Sequence, residues 1–350
     1  MKVTSIARAA GVSPGAVSSL LTSPDGRGRV SPKTREVILK ACRDLGYRPK
    51  DPRALNLIYP ELGGYCFLLP QSVTDGLRNP YYSHIFAGVV EALATGQVMF
   101  CQFDDSIDYR EHPEALPAPL LDGTATKFLC AGQANLSLLE AMQEKNARIV
   151  YLSQYQPLQG MTSVVPDYAS GTRQTLAHLI GLGHRRIAFC LGPLGANAYN
   201  ILEQRRTIEA VLTEHGIPLP PEYCFFGPLG PQGGIDAMDN ITRCKERPTA
   251  LYCFGDGVAA GAIGRAQQLG LRVPEDISIT GFDDLPMASS LHPSLTTVRI
   301  PIEEIGQTGV RELQAMLQMD PEEVVKRAPR KVVLPTSLVV RNSTAAPARA

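Results

Sequence analysis

The sequence predicts a small all-α domain followed by an α/β body of two doubly wound parallel-sheet lobes. Three observations carry that prediction. The 350-residue chain has a formal net charge of zero, yet residues 1–60 hold 11 basic and 4 acidic side chains, and the rest holds 23 basic and 30 acidic. The opening residues read as short helices punctuated by Gly and Ser-Pro. From Gly64 onward, apolar strand runs alternate with helical patterns, the signature of parallel sheets covered on both faces. At roughly 150 residues per domain, the length suits two or three domains.

Composition narrows the class further. Apolar residues make up 44 % and charged residues 19 % of the chain, the range of a globular protein. No stretch of about 18 apolar residues suggests a spanning helix, and the N-terminus has no apolar leader, so a cytoplasmic, nucleoid-associated protein is expected. The eight cysteines form no C-x-x-C pair and lie mostly in apolar runs. They read as reduced thiols, and with six scattered histidines no metal or cofactor is expected.

The basic segment divides into three helices. The first runs from about Thr4 to Ala10, with Ile6, Ala7 and Ala10 on one face and Gly11 as its stop. Ser13 caps the second and Pro14 takes its first turn, where the missing N–H costs nothing. Val17, Leu20 and Leu21 form its inner face. Ser31-Pro32 repeats that start signal for a third helix, with Val37, Ile38, Ala41 and Leu45 as its apolar stripe. Two helices joined by a tight Gly turn, backed by a third, describe a helix-turn-helix. The second would enter the major groove N-terminus first. Its outward positions are Pro14, Gly15, Ser18 and Ser19, and Ser13 and Ser18 suit phosphate oxygens. An ordinary protein-binding bundle is the competing reading. GVSPG (11–15) also matches G-x-S-x-G, but a helix rather than a strand precedes its serine, which argues against a nucleophile elbow.

The stretches IARAAGVSPGAVSSLL and RVSPKTREVILKACRDLGYRP resemble the LacI/GalR family of transcriptional regulators. That resemblance implies phosphate or backbone contacts for Lys33, Thr34, Arg35 and Tyr47. The family's usual arginine after the recognition-helix serine is Ser19 here. Pro14 and Gly15 occupy the positions that most often set operator specificity, so readout should lean on apolar contact and DNA shape. Arg27 and Arg29, in a loop longer than usual for the family, are candidate backbone contacts.

The family also implies a hinge helix over Asp51–Leu57 that wedges a leucine into the minor groove. Asp51 would be its N-cap, Pro52 its first residue and Leu57 the wedge, with Leu55 the competing choice. A linker docked on the body is the alternative.

In the body, strands are expected at Tyr65–Leu69, Val98–Phe103, Lys127–Cys130, Arg148–Leu152, Arg186–Leu191, Ala250–Phe254 and Ile277–Ile279. Helices are expected at His84–Ala94, Ser137–Lys145, Ala169–Leu182, Arg205–His215, Gly257–Leu269 and Glu303–Gln318. GPLGPQGG (227–234) lacks the ending of a P-loop and reads as a turn. The motifs NPYY, HLIGLGHRRIAF, RPTALYCFGD, LGLRVPEDISITGFDDLPMA, HPSLTTVRIPIEEIG and LPTSLVVRNST resemble the family's type-I periplasmic binding-protein-like body. This implies domains at 1–48, 49–63 and 64–341, a disordered tail at 342–350, and crossings between lobes near residues 157, 290 and 320. The resemblance implies effector contacts for Tyr81, Tyr82, Asp256 and Asp283. Gly255 stands where the family has Asn. The family's sugar-clamping arginine falls near Leu202, with Arg205 or Arg206 as substitutes.

The function expected is a sequence-specific DNA-binding regulator, a repressor. It would bind a near-palindromic operator as a homodimer or tetramer, controlled by a small effector such as a sugar or related metabolite in the interlobe cleft. A regulator without an effector, and a solute-binding protein of a transport system, are the alternatives. The latter has no use for residues 1–60. No catalytic constellation emerges, so an enzyme is not expected.

Overall fold

The computed structural model describes residues 2–23, 28–59, 62–73, 75–94, 98–192, 199–319 and 321–348. Its helices and strands run in chain order α1 (Val3–Ala10), α2 (Pro14–Thr22), α3 (Pro32–Asp44), α4 (Pro52–Ile58), β1 (Gly64–Pro70), α5 (Pro80–Leu93), β2 (Val98–Phe103), α6 (Ala118–Leu121), β3 (Ala125–Cys130), α7 (Leu136–Glu144), β4 (Arg148–Leu152), β5 (Thr162–Pro166), α8 (Tyr168–Gly181) and β6 (Ile187–Leu191). They continue α9 (Tyr199–Glu214), β7 (Cys224–Phe226), α10 (Pro231–Ile241), β8 (Ala250–Cys253), α11 (Asp256–Gln268), β9 (Ser278–Asp283), β10 (Thr296–Arg299), α12 (Ile302–Leu317), α13 (Pro321–Lys326), β11 (Arg330–Leu334) and β12 (Ser337–Val339).

The chain divides into two compact units. The first holds residues 1–82, 86–163 and 306–331, and the second residues 83–85, 164–305 and 332–350. The major divisions at 163/164, 305/306 and 331/332 each come later than the expected 157, 290 and 320. One six-stranded sheet has the order β11-β5-β4-β3-β1-β2, the other β12-β10-β9-β8-β6-β7. Strands β2, β1, β3 and β4 pair in parallel, as do β7, β6, β8, β9 and β10, while β12 joins β10 antiparallel. Both sheets are doubly wound, as the alternating pattern predicts.

Each of the seven expected strands forms. The short β5, β7, β10, β11 and β12 were not foreseen, because three to five residues with mixed polarity give little periodic signal. The GPLGPQGG turn is corrected: α10 begins at Pro231, inside it. Gly234 sits in that helix because the α11 backbone leaves no room: a Cβ there would collide with Val258 O, and one on Gly261 with Pro231 O. A Cβ on Gly233 would instead meet Pro228 O in the turn just before the helix. Close helix packing explains Gly234 and Gly261, and turn closure explains Gly233.

The expected disordered tail is also corrected for residues 342–345. Ser343 is fully buried, its Oγ donating to Ile279 O at 2.6 Å and accepting from Thr296 N at 2.8 Å. Ala345 N donates to Ser278 Oγ at 3.0 Å, and Ala345 O lies 2.9 Å from His184 Nε2. The segment satisfies polar groups of β9 and the buried histidine, so it is structure rather than solvent-exposed chain.

Candidate functional site

The head is built from the signals the sequence carries. Gly11 ends α1 with φ +65°, and the Val12 N–H reaches back to Ala7 O at 3.0 Å. Ser13 Oγ accepts from Ala16 N at 3.2 Å and Pro14 opens α2. Ser31 caps α3 in the same way, accepting from Thr34 N at 3.2 Å. The buried core joins Ile6, Ala7, Ala10, Val17, Leu20, Leu21, Ile38, Leu39, Ala41 and Cys42. The α3 stripe differs from expectation by a small rotation. Val37 and Leu45 are exposed, and Leu39 and Cys42 take their places inward. Packing of α1 and α4 on α3 selects that face over the neighbouring apolar positions.

This core leaves Ser13, Pro14, Gly15 and Ser18 exposed at the start and along one face of α2. Ser13 Oγ spends a lone pair on the cap and keeps its proton for an external acceptor. Ser19 is half-buried, and its Oγ accepts from Arg29 N at 3.0 Å, tying the following loop to α2. The Arg29 and Lys33 side chains are exposed, and Thr34 Oγ1 sits 2.8 Å from Ser31 Oγ. Tyr47 is half-buried against the head core. Arg27 lies outside the described residues. Arg35 departs from a simple surface contact, because its Nε is buried and unpartnered.

The hinge segment forms α4, with Asp51 Oδ1 accepting from Arg53 N at 2.8 Å and Pro52 opening the helix. Ala54 and Ile58, four apart, enter the head core, and Leu57 packs partly against it. Leu55 is half-buried. Asn56 is nearly fully buried and its Nδ2 donates to Gly123 O, joining the helix to the first lobe.

In the first lobe, Asn79 caps α5 by accepting from Tyr81 N at 3.0 Å. Tyr81 OH meets Ser153 Oγ at 2.6 Å, just past β4, and its ring is edge-on to Tyr82 at 5.5 Å. Tyr82 OH lies near Gly132, just past β3. Both tyrosines therefore stand at the carboxyl ends of parallel strands, where open α/β sheets bind ligands.

The carboxyl edge of the second sheet carries the other candidates. Asp283 ends β9 with φ +112° and Asp284 follows with φ +56°, two non-glycine residues in a costly conformation. Asp284 fixes that turn, accepting from Arg299 Nε at 2.7 Å and Arg341 Nη2 at 2.6 Å. Burial, then the neighbouring Asp256, push the Asp283 carboxyl well above the usual carboxylate range. A Cβ on Gly255 would lie 3.3 Å from Asp283 Oδ2, so the missing side chain leaves room beside it.

Asp256 is placed differently from expectation. It is fully buried, and both oxygens are used inside the lobe, accepting from Thr297 Oγ1 at 2.5 Å and Leu285 N at 2.7 Å. Burial is the main force raising its carboxyl to about 7. It supports the turn that carries Asp283 and Asp284. Arg205 is engaged within the lobe: its Nε holds Glu209 at 2.9 Å and its guanidinium lies 5.8 Å from the ring of Phe226, which ends the outer strand β7, while Arg206 is exposed. The residue missed from sequence is Gln204. It is fully buried, and among the described residues neither its amide nitrogen nor its oxygen has a partner. Starting α9 at Tyr199 instead of Arg205 would have shown it on the inner face with Ile201 and Ile208.

Residues 2–50 match the family described as "Bacterial regulatory proteins, lacI family", and residues 176–344 match "Periplasmic binding protein-like domain". A transcriptional repressor PurR of Erwinia tasmaniensis is 30 % identical over 326 residues, covering 92 % of each chain. The chain belongs to the LacI family. It is thus a DNA-binding transcriptional regulator with a binding-protein-like body. The regulator DegA of Bacillus subtilis is 29 % identical to this LacI-family chain over 349 residues, covering 98 % of each. Among solved structures, the regulator CelR in complex with cellobiose has a TM-score of 0.69 at 25 % identity, covering 98 % of this chain and 99 % of that one. The lac repressor dimer bound to operator and the anti-inducer ONPF shares the fold, with a TM-score of 0.67 at 24 % identity, covering 97 % of this chain and 98 % of that one. Among the described residues, no helix is long and apolar enough to cross a membrane.

Proposed function

We propose that this chain is a cytoplasmic repressor that binds a near-palindromic operator as a homodimer and answers to a small polar effector. The observation that carries the DNA reading is the exposed face of α2, where Ser13, Pro14, Gly15 and Ser18 surround the solvent-facing helix N-terminus of a basic head. Two such heads, related by a two-fold axis, would meet half-sites about one helical turn apart. Arg29, Lys33, Thr34 and Tyr47 would position the head on phosphates, and the small α2 side chains would leave base selection to apolar contact and shape. The reading assigns the chain no catalysed reaction.

The effector reading rests on the tyrosine pair of one lobe and Asp283 of the other, each at a carboxyl edge of its own parallel sheet, and on the buried amide of Gln204 in α9. Cellobiose in the related regulator's complex supports a hydroxyl-rich ligand. A ligand with different affinity for two states of the body would shift the population able to hold both half-sites.

The test is a gel shift with DNA from the gene's own upstream region. The full chain should retard it. Ser18→Glu, which sets a negative charge on the exposed α2 face, should abolish retardation while leaving the melting temperature unchanged. Equal retardation by both proteins would overturn the proposal.

A further inference from the structure

The first compact unit contains a cavity that none of the functions above uses. It measures about 290 Å³ and lies between the head, α4 and the lobe that α4 touches. The head contributes Arg35, α4 contributes Arg53 and Asn56, and the lobe contributes Thr126, Lys145 and Arg148. Four cationic side chains thus line one space. No Asp or Glu is among the described residues that line it. Asp51, outside the lining, stands 3.6 Å from Arg53 Nη2 and offsets that charge, and Arg148 also makes an interaction of its own.

Two polar atoms at this cavity are buried without a partner: Arg35 Nε and Thr126 Oγ1. A buried guanidinium N–H left unpaired is costly, and an unpaired buried hydroxyl adds to the cost. Both atoms are shielded from the open space, so a guest would meet the Arg35 guanidinium through its terminal N–H groups. The lining selects its charge as well. Three guanidiniums and an ammonium favour a compact, doubly charged anion with several oxygens over a neutral molecule or a single carboxylate.

We propose that this cavity is a second small-molecule site, which takes a phosphate monoester. Its consequence follows from where Arg35 sits. The family resemblance offers Arg35 for the operator backbone, but its Nε is buried and the residue lines the cavity, so a phosphate held there keeps it from DNA. The guest also bridges head, α4 and lobe, which fixes the head in one placement. Occupancy therefore weakens operator binding.

Inorganic phosphate, the part common to all such guests, is the probe. Against chloride at matched ionic strength, millimolar phosphate should raise the melting temperature of the full chain by about 3 °C or more. The lobe-side double variant Lys145→Gln/Arg148→Gln should lose that rise yet bind operator normally in chloride. Phosphate should weaken operator binding by about fivefold in the parent chain and not in the variant. Lys145 is exposed, so Lys145→Gln alone serves, with a reduced rise, if the double variant fails to fold. Three results would overturn the proposal. One is no rise with phosphate, and another is an equal rise in the variant, which would place the anion elsewhere. The third is weakened operator binding by the variant in chloride, which would make these cations part of the DNA-backbone track.

Discussion

The carboxylate of Asp284 accepts from Arg341 Nη2 at 2.6 Å, joining two residues 57 apart in the chain. The Asp284 side chain is 5 % exposed and that of Arg341 18 %. Arg341 also donates to Leu295 O at 2.7 Å, so one guanidinium ties the turn after β9 to the segments around β10 and β12. Arg299 holds the other oxygen of the same carboxylate at 2.7 Å, so only removal of both guanidiniums strands the charge, at a cost of about 3–5 kcal/mol. The double variant Arg299→Leu/Arg341→Leu should therefore lower the stability of the body by about 3 kcal/mol. Because Asp284 would then lose its hold on the left-handed turn, Asp283 should also be misdirected. Urea melts of the parent and variant check the first point; a loss within about 0.5 kcal/mol, the range of an ordinary surface change, would contradict it.

Asp256 makes stability depend on pH in a definite direction. Its folded-state pKa is raised from the ordinary 3.8 to about 7, chiefly by burial. Between those values the folded chain holds a proton that the unfolded chain has released. The stabilisation is then complete below about pH 4 and is lost as pH rises through 7. A shift of that size corresponds to roughly 4 kcal/mol. Asp256→Asn carries no titrating proton. The melting temperature of the parent minus that of Asp256→Asn should fall from pH 5 to about pH 7 and level off above it. A difference that stays flat over that range would show that Asp256 titrates normally.

The hinge helix offers two leucines for the minor groove. Leu57 packs partly on the head core and Leu55 does not belong to that cluster, so both retain exposed surface in the free chain. The reading in which α4 wedges Leu57 predicts that Leu57→Ala weakens operator binding by about tenfold, the loss of a partly unstacking apolar wedge. The melting temperature should shift little, since neither Ala54 nor Ile58 is disturbed. Titrations of labelled operator measure this. If Leu55→Ala weakens binding and Leu57→Ala does not, the wedge is Leu55.

What the sequence showed depended on how local each signal was. The caps at Ser13, Ser31 and Asp51, each followed by proline, mark helix starts within a few residues, and all three form. The seven long strand runs were equally plain, because parallel strands buried on both faces are nearly continuous apolar text. Signals that depend on distant partners were hidden. Gly234 reads as part of a turn until Val258 shows the close contact of α10 with α11. The tail looked disordered because Ser343 finds its partners on β9 and β10, far back in the chain. At the candidate site, Asp283 was legible from GFDD. The engagement of Asp256 with Thr297 and Leu285 depends on a fold-wide arrangement that no spacing encodes.

Gln204 tests whether the second lobe is built to hold a ligand or merely to be stable. Its amide is fully buried, and neither polar atom has a partner among the described residues. An unsatisfied buried polar group costs about 1–3 kcal/mol, which a leucine of similar volume would not incur. Gln204→Leu should therefore raise the melting temperature of the ligand-free chain, by a few degrees for a body of this size. If the amide exists to meet an effector, the same variant should lose the stabilisation that an active sugar or related metabolite gives the parent chain. The two readouts move in opposite directions, a pattern expected where function is retained at the expense of stability. A variant that melts lower than the parent without ligand would mean that the amide is satisfied in solution, and Gln204 would leave the site.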